Sequence, residues 1–100
     1  QLRGIGLGYK LYKLIIEDFG FITSNKFSSI DAYNIWYNLM LDNNLYCFTS
    51  NNLSGVLHKN LNDQEIKMIL EKIKDKNLIF DEELTQKIIQ LYGTLDSYKR

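Results

Sequence analysis

The chain has 100 residues, with twelve basic and twelve acidic side chains and no net charge. Binding along a nucleic acid needs an excess of Lys and Arg, so coating nucleic acid is excluded as its main business. The 45% apolar content is enough for the core of one small domain.

One cysteine, Cys47, and one histidine, His58, exclude an internal disulfide framework and a Cys-rich or His-rich metal site. No metal is expected. The setting reads as reducing, intracellular and cytoplasmic. No apolar run approaches a membrane span and no signal-peptide pattern is present. The first residue is Gln rather than Met, which reads as a fragment, a processed product or a trimmed chain.

In chain order, the first helix is predicted from Gly6 to about Asp18. Leu7, Leu11, Leu14 and Ile15 fall at i, i+4, i+7 and i+8 and draw one apolar stripe, the side expected to be buried. Gly20 is placed as the C′ residue that stops it. Phe21–Ser24, aromatic and β-branched, reads as a strand. Ser28 or Ser29 caps a second helix, with Asp31 in its first turn and Ala32, Ile35, Trp36, Leu39 and Met40 on its buried side. Asp42-Asn43-Asn44 is a turn cluster, and Leu45–Thr49 is a second strand.

Residues 51–60 read as a loop, with at most a short strand at Gly55-Val56-Leu57. Asn62 and Glu65 stand three apart as a capping box, before Ile66, Ile69, Leu70 and Ile73 at helical spacing. Asn77 ends that helix. Asp81 caps another, with Glu82 and Glu83 in its first turn, Leu84, Ile88, Leu91 and Tyr92 on one face, and Gly93 as its stop. The predicted class is α/β (α+β). Helix–strand–helix–strand over residues 1–50 precedes a loop at 51–60 and a helical hairpin over 61–100, packed on or beside the first part.

The opening QLRGIGLGYK places Gly4, Gly6 and Gly8 where a helix starts, although glycine costs about 1 kcal/mol against alanine inside one. The first N–H groups of a helix have no intrahelical partner and the helix dipole adds partial positive charge. Glycines there give an anion, such as a pyrophosphate, access to the backbone. Gly8 is followed by Tyr9-Lys10-Leu11, not by the Lys-Ser/Thr of a Walker A loop, and the third glycine comes one position early for a dinucleotide fingerprint.

Gln1-Leu2-Arg3-Gly4-Ile5-Gly6 resembles the R/Q-x-x-G-x-G/A motif of the GNAT superfamily of N-acetyltransferases. The sequel is similar too. GLGYKLYKLII resembles the helix after the loop, FGFITS the next strand, SSIDAYNIWYNLM the helix with the pattern N-x-x-A-x-x-L-Y-x-K, and NLYCF the closing strand. The resemblance spans about the first half of the chain and corresponds to the second half of such a domain.

That resemblance implies a partial GNAT-like fold with acetyl-CoA as co-substrate and an amine as acceptor. Backbone N–H groups from Gln1, Leu2, Arg3, Gly4, Ile5, Gly6, Leu7 and Gly8 would hold the pyrophosphate. Acyl transfer is then direct attack by the amine on the thioester. Two positions depart from the pattern. Its asparagine falls at Ser29, which can still hydrogen-bond the pantetheine arm. Its thiolate-protonating tyrosine falls at Trp36, whose indole cannot act as a general acid, so Tyr33, one turn earlier, takes the catalytic assignment. A homodimer is compatible with this reading. The alternative function is a non-catalytic, acetyltransferase-like module, with Ile66–Ile73 and Leu84–Leu91 as a protein-docking face.

Overall fold

The computed structural model describes residues 2–25 and 30–99, with side chains over 7–25 and 32–98. In order these form α1 (Leu2–Phe19), β1 (Phe21–Asn25), α2 (Ile30–Met40), β2 (Leu45–Thr49), β3 (Leu53–His58), α3 (Asp63–Ile73), β4 (Ile79–Phe80), α4 (Glu82–Tyr92) and α5 (Leu95–Lys99). The class is α+β. The expected caps at Ser28 and Ser29 lie outside the described residues.

The four strands make one antiparallel sheet in the order β1-β3-β2-β4. β3 is central, pairing Phe21 with Leu57 and Asn25 with Leu53 on one side, and Leu45 with His58 and Thr49 with Ser54 on the other. The predicted loop at 51–60 is therefore corrected: the short strand expected at Gly55-Val56-Leu57 extends over Leu53–His58 and is an inner strand of the sheet. Only Ser50, Asn51 and Asn52 are left to turn the β2–β3 hairpin, with Ser50 N–H donating to the Leu53 carbonyl at 2.7 Å. Gly55, Val56 and Leu57 are consecutive and buried, as expected of a strand covered on both faces, which does not alternate apolar with polar.

Helices cover both faces. α1 and α2 lie on one, where Ile16, Ile35, Trp36, Leu39, Leu45 and Val56 form a core. α3, α4 and α5 lie on the other, where Phe48, Leu57, Ile66, Ile69, Leu70, Leu78, Leu84, Ile88 and Tyr98 form a second. The stripes of α3 and α4 thus pack on this chain's own sheet, and the docking face of the alternative reading is already occupied.

The N-caps fall where the spacing places them, but α3 stops at Ile73 with Lys74 as a left-handed C-cap, four residues short of the predicted stop at Asn77. Glu65 N–H donates to Asn62 Oδ1 at 2.8 Å and Asn62 N–H to Glu65 Oε1 at 3.0 Å, a complete capping box. Asp81 does more than cap. Its Oδ1 accepts from Leu84 N–H at 2.7 Å, its Oδ2 from Cys47 N–H at 2.8 Å, and its own N–H donates to the Cys47 carbonyl at 2.9 Å. One carboxylate therefore starts α4 and ties it to β2. Asp81→Ala is expected to cost about 2 kcal/mol, from a lost cap and a stranded half-buried N–H. Asp81→Asn should cost less, because one oxygen remains to accept; urea unfolding measures both.

α1 departs from expectation twice. It begins at Leu2, not Gly6. Its buried side is also the other one: Ile16 is fully buried and Tyr9 and Tyr12 pack with it, while Leu7, Leu11 and Leu14 are 66%, 55% and 62% exposed. The leucine stripe faces away from the domain. Gly20, at φ +89°, takes the left-handed turn that ends α1 and admits the chain to β1.

Candidate coenzyme site

The contacts of α1 run from Gly8 against the middle of α2 to Lys13 against the turn just past its end. Gly8 meets Ile35, Tyr12 stacks edge-on against Trp36 with centroids 6.1 Å apart, and Tyr9 and Lys13 reach Asp42. The two helices therefore run parallel and start at the same end of their layer. That is also the end at which β1 finishes, since Asn25 closes β1 and Ile30 opens α2. Two helix N-termini side by side concentrate unpaired N–H groups and positive dipole ends, an arrangement suited to an anion.

Helix geometry decides which amides are available. From Ile5 onward each N–H in α1 has a carbonyl four residues back. The predicted cradle is thereby narrowed by the early start of α1. The amides of Ile5, Gly6, Leu7 and Gly8 are spent within the helix, and those of Leu2, Arg3 and Gly4 have no intrahelical partner. Gln1 and Ser29 lie outside the described residues.

Gly8 has a packing reason of its own. A Cβ there would lie 2.5 Å from Ile35 Cδ1, so the absent side chain lets α2 approach α1. Tyr33 sits in the first turn of α2, at the same end as the start of α1. It is 49% exposed and stacks on Tyr37, with centroids 6.1 Å apart and rings 18° from parallel. Trp36 is 1% exposed, a core residue as the helix pattern implied.

An ion-pair cluster that the spacing does not reveal joins the middle of α1 to the turn after α2. The Lys13 ammonium pairs with the Asp42 carboxylate, which also accepts from Tyr9 Oη at 3.4 Å and from Asn44 N–H at 2.8 Å. Burial pushes the Asp42 carboxyl up, but Lys13, Asn44 and Tyr9 together pull it further down, so it titrates below its ordinary value. A depressed carboxyl contributes stability above its unfolded pKa and loses it as pH falls through the folded one. The urea midpoint should therefore drop as pH is lowered below about 4. Asp42→Asn should cost on the order of 1 kcal/mol at neutral pH and flatten that fall.

Cys47 is a half-buried thiol in β2. Burial, then the nearby Asp81 carboxylate, push its thiol up to about 11, and its Sγ lies 3.5 Å from the Met40 carbonyl. His58 ends β3, where its Nδ1 accepts from Asn60 N–H at 3.1 Å, a turn role. A cavity of about 510 Å³ lies at the C-terminal end of α1, lined by Glu17, Asp18, Glu65, His58 and neighbours. Its carboxylates would repel a diphosphate. No group of three or more His, Cys, Asp or Glu suited to a metal occurs among the described residues, and none of their helices is long and apolar enough to cross a membrane.

Comparison with known proteins returned no match to a family model, to a curated protein or to a solved structure.

Proposed function

We propose that this chain is the coenzyme-holding half of an acetyl-CoA-dependent N-acetyltransferase domain. The pyrophosphate lies against the free N–H groups of Leu2, Arg3 and Gly4, and the acyl group passes to an amine. The observation that carries this reading is the fall of the Gln1–Gly6 motif at the start of an 18-residue helix, beside the start of a second, parallel helix. Each N–H donor there gains from charge on the acceptor, and the dipoles add to it.

In this scheme Arg3 is a cationic partner for the phosphates, Ser29 meets the pantetheine arm, and Tyr33 donates a proton to the departing thiolate. The phenol is exposed, at the right end of α2, and on the helix that the resemblance assigns to this task. With the α3 and α4 stripes packed on the sheet, the non-catalytic alternative no longer has its protein-docking face; its remaining support is Trp36 at the family's tyrosine position, where the indole is locked in the core.

Calorimetric titration with CoA tests the proposal. Gly6→Val should lower CoA affinity at least tenfold by crowding the approach to the helix start. Stability should hold, because valine is a better helix former than glycine. An unchanged affinity would remove the helix start as the pyrophosphate cradle. Binding without acetyl transfer to any amine would favour the non-catalytic alternative.

A further inference from the structure

α5 (Leu95–Lys99) follows Gly93, which sits at φ +87°, in the left-handed region that glycine enters at little cost. A Cβ at Gly93 would meet nothing within 4 Å, so the joint between α4 and α5 stands in open space. Among the described side chains of α5, Asp96 and Ser97 are exposed, Leu95 is half-buried and Tyr98 is buried. A helix of this length has no stability of its own. Its place in the fold therefore rests on the seat of Tyr98. That seat grips both ring and backbone. The ring meets Phe80 edge-on with centroids 5.8 Å apart, and Tyr92 at 5.7 Å. Lys76 Nζ stands 4.6 Å from the ring centroid and donates to the Tyr98 carbonyl at 2.9 Å.

The seat also has a fault. Tyr98 Oη and Tyr92 Oη are sealed from solvent, and neither has a hydrogen-bond partner among the described residues. A buried phenol ordinarily finds one. Closure takes both hydroxyls out of water and returns nothing for them, whereas an open α5 wets at least that of Tyr98. The contacts of ring and carbonyl favour closure, and the stranded hydroxyls oppose it. Opposed terms of this kind keep an open form within reach of the native ensemble.

We infer that α5 is a hinged strap that swings at Gly93 with Tyr98 as its bolt, and that it opens while the sheet and the other four helices stay folded. Opening uncovers Phe80 of β4 and Tyr92 of α4, so the strap governs access to that part of the core. Coenzyme binding plays no part in it.

Hydrogen exchange of the labelled full chain, followed residue by residue in ¹H–¹⁵N spectra under rising, sub-denaturing urea, tests it. The amides of Tyr98 and Lys99 should exchange on the order of a hundredfold faster than that of Leu57 in β3, at a rate that urea barely changes, as a local opening does. Val56→Ala, in the core on the other face of the sheet, should speed exchange at Leu57 about tenfold or more and leave α5 unchanged. Tyr98→Phe keeps the ring and removes the hydroxyl. It should slow α5 exchange about fivefold or more, because only the closed strap strands that group. Exchange of α5 at the rate and urea dependence of Leu57 would overturn the proposal, since α5 would then open only with the whole fold. So would a Tyr98→Phe chain whose α5 exchanges no more slowly than wild type.

Discussion

Gly55→Val is expected to destabilise the chain by about 3 kcal/mol or more, at the upper end of what overpacking costs. Gly55 lies in the middle of β3, directly opposite Phe48 of β2. The Phe48 ring lies across the glycine, so that a Cβ built at Gly55 falls 2.1, 2.4 and 2.9 Å from three ring carbons. Phe48 is itself 1% exposed and touches the core beneath α3 and α4. It cannot swing out without emptying that core, and β3 cannot retreat because it is paired on both sides. Gly55→Ala should already be costly, and valine, larger and stiff at χ1, more so. The pair can be tested as a unit. In the background of Phe48→Leu, which vacates part of the ring's space, Gly55→Ala should cost measurably less than in wild type. Equal costs in both backgrounds would show that the ring is not what excludes the side chain.

Trp36→Ala carries the other large effect, about 3–5 kcal/mol, the range for removing a large buried aromatic. The indole joins α1, α2 and the sheet. It meets Tyr12 edge-on at 84° and sits in a core with Ile16, Leu39, Leu45 and Val56. Its loss should loosen α1 and α2 together. Trp36→Phe should recover more than half of the loss. Urea denaturation followed by far-UV circular dichroism measures both variants. A cost below 1 kcal/mol for alanine would mean that the α1/α2 layer is not held by this side chain.

How much of this was legible depended on whether a residue's role is local. Asn62, Glu65, Gly20 and the capping oxygen of Asp81 act on backbone groups within four residues, and they do what their positions imply; the link from Asp81 to Cys47, 34 residues away, was not legible. Trp36, on the apolar side of an amphipathic helix, was legible for the same reason. β3 was legible only at Gly55-Val56-Leu57, because the polar residues around that stretch read as loop. Gly55 is a glycine only because Phe48, seven residues earlier, needs its space, and that is a pairing fact. α1 was misjudged because it is apolar over most of its circumference. Leucine spacing favoured one side, but Gly8 lets α2 close on the side of Tyr9 and Tyr12 instead. β4 has two residues, held by the Asp81–Cys47 link. α5 has five residues, with Thr94 Oγ1 accepting from Ser97 N–H at 3.0 Å as its cap. Neither is long enough to leave a period.

At the candidate site the outcome is divided in the same way. Glycines ahead of an apolar period located a helix start, and the structure moves that start to Leu2. The side-by-side start of α2 and the position of Tyr33 at that end come from tertiary packing alone.

The central claim is that the shared starting end of α1 and α2 takes an anionic coenzyme. The direct measurement is a ¹H–¹⁵N correlation spectrum of the labelled chain titrated with CoA. The account predicts saturable shifts at the amides of Leu2, Arg3 and Gly4 and in the first turn of α2. It predicts little change at Glu17, Asp18 and Glu65, around the acidic cavity at the other end of α1. An unmoved spectrum at millimolar CoA, or shifts gathered at that acidic end, would contradict it.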